Sequence, residues 1–395
     1  MLPSFELSQL ALPAALIFSV AGLAAWRVTG SVLIALALAS AKTAPFLIYF
    51  GLVFDGTYTY LDDWTYLERG AALDAAGVTP FNLLQHLPLL LAAGEGNHFL
   101  YYLVNAIAVG LFGDGYYAPV ALNVVASVGV AWVATRLLVR EGLCPPRWTS
   151  ALFAFALLHP DILAWSTVLN GKDTLVLLMH VLLLTALSWQ LRGRRLAALA
   201  LAGAATAALL FLRFYVPLLF ALALALSAAT QIHQRGRLRM LLLGTALMGG
   251  LAAYFGPAVG EQALDAVRSD LVNPLTGFVR FVLTPIPLNT DDNYAFLDVP
   301  ATLHWLLLPA VVLGVWRVWH HGTAFTRFLL AYTAVFTALY AIYGELQGPR
   351  HRLQLDFAWL TFQFVGMLGL PRLVDAWRHR RAARERPASS TAQQP

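Results

Sequence analysis

Charge is scarce in this chain. Asp, Glu, Lys and Arg together make up 12% of its 395 residues, about half the share of an ordinary soluble domain. No polar block is long enough to fold as such a domain. Lysine is nearly missing: among 26 basic residues only Lys42 and Lys172 are lysines. The single cysteine, Cys144, excludes an internal disulfide and any cysteine-built metal cage. No His-Glu-x-x-His or Cys/His spacing argues for zinc. The opening stretch, MLPSFELSQLALPAAL, lacks the basic residues that begin a cleaved signal, so it reads as a first membrane span.

What fills the chain instead is apolar residues, 59% of the total, with a mean hydropathy of +0.67. Apolar runs recur from end to end, which predicts an all-α polytopic membrane protein. The expected spans are 8–26, 31–54, 118–139, 149–163, 174–191, 196–212, 214–230, 239–256, 301–317, 325–343 and 353–371. That makes about 11 transmembrane helices, in a range of about 10–13. They form one transmembrane domain over 1–377, followed by an Arg-, Ala- and Ser-rich tail at 378–395 that reads as disordered.

The net charge of +5 does not point to nucleic acid. Basic residues cluster between apolar runs, at 140–147, 192–195, 234–239, 317–327 and 378–386. By the positive-inside rule these loops are cytoplasmic. The same count puts the N-terminus outside and leaves three longer stretches outside, at about 55–117, 257–300 and 344–356. The first carries seven acids (Asp55, Asp62, Asp63, Glu68, Asp74, Glu95, Asp114) against one base, Arg69. Within it, residues 98–112 are apolar but few for a span, and are expected to lie as a helix in the outer interface, with Tyr101 and Tyr102 suited to that depth.

The outer loops carry the residues with chemical potential. In "YLDDWTYLERG" the adjacent acids Asp62 and Asp63 are followed by Tyr66. Repulsion between neighbouring carboxylates raises one pKa and poises a base. The same pattern also suits a solvated loop. Lys172 and Asp173 follow the turn residues Asn170 and Gly171; Lys172 fits a phosphate contact or a snorkelling helix start. Arg213 occupies a tight turn between two apolar spans, where an arginine is costly unless paired or functional. "GPRHRLQLDF" sets Arg350, His351 and Arg352 on the outer face, against the positive-inside trend. Arginines offer paired planar donors suited to phosphate; salt bridges to Glu345 or Asp356 are the alternative. A second acidic pair, Asp291 and Asp292, suits an acceptor sugar, a divalent ion or a plain loop.

These motifs, in this order, resemble the GT-C superfamily of polyprenyl-phosphate-sugar-dependent glycosyltransferases, which includes protein O-mannosyltransferases and aminoarabinose transferases. The family's first outer loop holds an acidic pair, usually Asp-Glu, and then a Tyr; Asp62, Asp63 and Tyr66 match, with Asp in place of Glu. His98, Tyr101, Tyr102 and "LFGD" at 111–114 match a later segment, without its two prolines. His159, Pro160, Trp165, Lys172, Asp173 and Leu175 match a third, and "RHRL" at 350–353 a fourth.

The resemblance implies a multi-pass enzyme of the bacterial inner membrane with its active face periplasmic. It would move a sugar, with inversion, from a polyprenyl-phosphate-linked donor to a glycan, lipid or protein acceptor. Asp62 would be the base, with Asp63 as its partner or as ligand to a Mg or Mn ion, the one cofactor this reading admits. Tyr66, His98, Lys172, Asp173, Arg213, Arg350, His351 and Arg352 would bind substrate, the cations holding the donor phosphate. The rival readings are a polysaccharide polymerase using a polyprenyl-diphosphate donor, and a transporter or lipid flippase, the latter favoured by Lys42 inside a span. Membrane lipid is a partner in each, and nucleic acid in none.

Overall fold

The computed structural model describes residues 5–56, 62–94, 99–229, 272–288, 292–344 and 348–370. The expected span 239–256, the tail 378–395, His98, Asp291 and Glu345 lie outside the described residues, as does the Asp292 side chain.

Among the described residues the chain is all-helical. The elements are α1 Leu7–Thr29, α2 Val32–Ile48, α3 Asp63–Ala75, α4 Leu87–Ala93, α5 Phe99–Phe112, α6 Tyr117–Arg140, α7 Thr149–Leu157, α8 Pro160–Val168, α9 Asp173–Leu191, α10 Arg195–Leu210 and α11 Tyr215–Ala229. Then come α12 Pro274–Leu283, α13 Asp298–His321, α14 Ala324–Ile342, α15 Pro349–Leu353 and α16 Asp356–Met367. Local signals set the boundaries. Glu6 and Gln9 close a reciprocal cap on α1, which stops at Gly30 in the left-handed region, φ 68°. The Ser31 hydroxyl caps α2, and Thr323 caps α14.

Among the described residues seven helical stretches are long and apolar enough to cross a membrane: Leu7–Thr29, Val32–Val53, Tyr117–Arg140, Pro146–Val168, Asp173–Leu191, Tyr294–His321 and Ala324–Ile342. The chain is therefore a multi-pass membrane protein. The helices α5, α10, α11 and α12 are apolar but shorter. The stretch 146–168 is not one rod: it breaks at His159, where Pro160 opens α8. Irregular backbone at membrane depth is tolerated where protein buries it, and here α6 and α13 pack on α8.

One expectation is corrected. The helix α5 turns Tyr101 and Tyr102 into the protein, 0% and 6% exposed, rather than toward an interface. It packs closely on α3 and α6. The reason is polar as well as steric: Tyr101 is held by the buried amides Asn123 and Asn170, and an added Cβ at Gly70 of α3 would collide with Asn105 of α5.

The helices α13 and α16 also cross with backbones in contact. A Cβ at Gly314 would strike the Phe362 carbonyl, and one at Gly366 the Ala310 carbonyl. Small residues at such crossings replace the hydrophobic drive that lipid cannot supply. The bundle has two polar ends. The C-terminal ends of α6, α9 and α13 bring together Glu141, Arg192 and His321. The N-terminal end of α9 meets α3, the turn before α11, and α15.

Candidate functional site

The site is built around Asp173, the first residue of α9, with its side chain 3% exposed. Its carboxylate accepts from Arg213 Nη2 at 2.9 Å, from Arg350 Nε at 2.6 Å and from Gln354 Nε2 at 2.9 Å. A carboxylate at a helix N-terminus gains from the backbone dipoles, and two arginines supply the charge that makes its burial tolerable. Gln354 is itself fixed: the Tyr340 hydroxyl donates to its Oε1 at 2.8 Å, and its carbonyl lies 2.9 Å from His180 Nδ1. Arg213 Nη1 also reaches the Tyr215 hydroxyl and His351 Nε2, both at 3.3 Å.

On the open side stands Asp62, at the N-cap position of α3, with 52% of its side chain exposed. The Tyr66 hydroxyl, one turn on, donates to Asp62 Oδ2 at 3.3 Å. Arg350 Nη1 is 3.9 Å from the same oxygen. Lys172 Nζ donates to the Tyr66 oxygen at 2.9 Å. A chain Lys172–Tyr66–Asp62 thus leads from the buried cation cluster to an accessible carboxylate.

Burial, and then the neighbouring Arg213, lower the Lys172 ammonium to about 6. Burial and the Asp62 charge push the Tyr66 phenol well above its usual range, so it remains a donor. Burial and Arg213 hold His351 near 3, as a neutral ring. Among the described residues, Arg213 and Arg350 face Asp173 and Asp62 at this centre.

Asp63 has another place. It is 1% exposed, and its Oδ2 accepts from the Tyr116 hydroxyl at 2.7 Å. Its backbone carbonyl accepts from Asn170 Nδ2 at 2.8 Å. Asn170 also bonds Asn105 and Tyr101, while Asn123 donates to the carbonyls of Leu169 and Gly171 at 3.3 and 3.0 Å. This buried network sets the 169–172 turn and hence the start of α9. Asp63 belongs to the scaffold beneath the site, and the adjacent acids do not converge on one point.

Arg352 likewise turns away. Two residues along α15 from Arg350, it is 2% exposed and pairs with Asp161 Oδ2 at 3.3 Å. It also donates to the Thr284 carbonyl at 2.5 Å. The structure thus joins Asp62, Tyr66, Lys172, Asp173, Arg213, Arg350 and His351, and separates Asp63 and Arg352 from them; His98 lies outside the described residues. Sequence reasoning missed Gln354, Tyr340, Asn170 and Tyr116. The amides had a signal: Asn105 and Asn123 interrupt apolar helices, where a polar residue needs a buried partner.

No family model, no curated protein and no solved structure matches the chain.

Proposed function

We propose that the chain is an inverting glycosyltransferase of GT-C type, moving a sugar from a polyprenyl-phosphate donor to a glycan, lipid or protein acceptor at the periplasmic face of the bacterial inner membrane. The observation that carries this reading is one accessible carboxylate, Asp62, set against a buried cluster of Arg350, Arg213 and Lys172. The topology expected from the basic loops supports the face, because Glu141, Arg192 and His321 gather at the other end of the bundle.

The reaction follows from the arrangement. Asp62 takes the proton of the acceptor hydroxyl, a step worth about 10²- to 10⁴-fold in rate. The freed oxygen attacks the anomeric carbon as the bond to the donor phosphate breaks. Displacement in one step inverts the centre. The leaving phosphate gains negative charge, which Arg350 and Arg213 stabilise through oriented donors. Lys172, joined to Asp62 through the Tyr66 hydroxyl, can receive along that chain the proton Asp62 takes from the acceptor, so positive charge gathers beside the leaving phosphate. Tyr66 orients Asp62 and links it to Lys172. An ion held between Asp62 and Asp63 has no part in this account, since Asp63 is buried against Tyr116.

The test is deletion of the protein, followed by mass spectrometry of surface glycans and lipid-linked sugars. Loss of one glycan substitution with accumulation of its polyprenyl-phosphate sugar is the expected result. Accumulation of a polyprenyl diphosphate-linked repeat unit would favour a polymerase instead. A second reading, as a transporter or flippase, draws on Lys42, fully buried in α2 with no hydrogen-bond partner for its Nζ among the described residues. It predicts unchanged glycan chemistry and a donor trapped on the cytoplasmic side.

A further inference from the structure

A second polar cluster lies apart from Asp62. His159 stands at the break between α7 and α8, Asp161 in the first turn of α8, and Asp356 at the first residue of α16. Their exposures are 2%, 4% and 0%. One ligand atom from each can be chosen so that all lie within 4.8 Å of one another. Acids near each other are no site by themselves, but here the potential ligand atoms are left open. Both carboxylate oxygens of Asp356 and Nδ1 of His159 are buried, with no hydrogen-bond partner among the described residues. A buried carboxylate with two unsatisfied oxygens is heavily penalised unless a cation or a proton compensates it.

The surroundings prepare the imidazole as a ligand. His159 Nε2 is 2.9 Å from Gln363 Oε1, and in the tautomer that donates to this oxygen Nδ1 presents its lone pair to the carboxylates. A ligating histidine whose other nitrogen donates to an oxygen is the usual outer arrangement of a metal site. Arg352 does not fill the gap: it pairs with Asp161 and the Thr284 carbonyl.

We propose that His159, Asp161 and Asp356 form a binding site for a divalent transition-metal cation, of the manganese or zinc kind. One imidazole nitrogen with two carboxylates suits those ions, whereas magnesium and calcium favour oxygen alone. Ligand distances near 2.0–2.2 Å require a modest inward rotation of the three side chains. The ion would tie the broken span at α7 and α8 to the start of α16, beneath the short helix α15 that carries Arg350. The site is independent of the transfer reaction.

The full chain, purified in detergent without metal, would be loaded with Mn2+, desalted and analysed for metal content and by electron spin-echo spectroscopy. One retained manganese per chain, with the modulation of a coordinated imidazole nitrogen, is expected. Asp356→Asn and His159→Gln should abolish retention, and Gln363→Leu should weaken affinity by about 10- to 100-fold. Asp62→Asn should leave retention and the nitrogen signal unchanged. Should the ligand variants fail to fold, the wild-type nitrogen signal decides alone. A wild-type protein that retains neither Mn2+ nor Zn2+ overturns the proposal. So does bound manganese without nitrogen coupling, or full retention in well-folded Asp356→Asn.

Discussion

At one end of the helix bundle Arg192 meets Glu141 at 3.4 Å with 48% of its side chain exposed; at the other, Arg350 meets Asp173 at 2.6 Å with 11% and 3% exposed. Both are arginine–carboxylate pairs at an end of α9. In the first the arginine stays largely in water, while Glu141, 8% exposed, is also held by the Ser188 hydroxyl, so the ion pair itself contributes little. The second takes charge out of water, where desolvation rivals the attraction and an apolar replacement often does as well. In a membrane protein with 12% charged residues, the joint burial of Arg213, Arg350 and Asp173 is the ground for the proposed donor-phosphate role.

The contrast can be broken by experiment. Asp173→Asn leaves two arginines buried without their shared carboxylate, and should destabilise the protein by about 3–5 kcal/mol. Unfolding in detergent measures it; a loss below that seen for Arg192→Ala would put the two ends on the same footing. Tyr116→Phe removes one donor to the buried Asp63 carboxylate and should cost about 1–3 kcal/mol. Its catalytic consequences should be confined to what the misplaced 169–172 turn brings about.

A pH series sharpens the same comparison. Lys172 is lowered to about 6 in the folded protein from 10.5 unfolded. Between those values the unfolded chain binds more protons, so stability rises with pH, by at most about 1.4 kcal/mol per pH unit. Below about 6 both states are protonated and this contribution is flat. Lys172→Met should remove that slope; a slope unchanged in the variant would show that Lys172 titrates normally. The smallest effect belongs to the open end. Arg192→Ala should shift stability by less than about 1 kcal/mol, and less still at high salt.

Much of this architecture was legible in the residues. The apolar runs placed α1, α2, α6, α9, α13 and α14, and the basic loops grouped Glu141, Arg192 and His321 at one end. Asp62 and Tyr66 stood out as a motif, Lys172 and Arg350 as cations on the outer side and Arg213 as a costly arginine, and the fold brings them together. What could not be read was direction. Asp62 and Asp63 are neighbours, yet a helical turn begins between them and sends one to solvent and the other to Tyr116. Arg350 and Arg352 lie two apart on one short helix, so they face opposite sides and serve different clusters. Gln354 and Asp356 took their meaning only from partners more than 150 residues away, Asp173 and His159.

The most direct measurement is sugar transfer by purified Asp62→Asn protein, set beside Glu141→Gln and wild type, with a polyprenyl-phosphate sugar and its acceptor identified from the deletion strain. The account predicts a loss of about 10²- to 10⁴-fold for Asp62→Asn in a folded protein that still binds donor, and wild-type transfer for Glu141→Gln. Undiminished transfer by Asp62→Asn would contradict it.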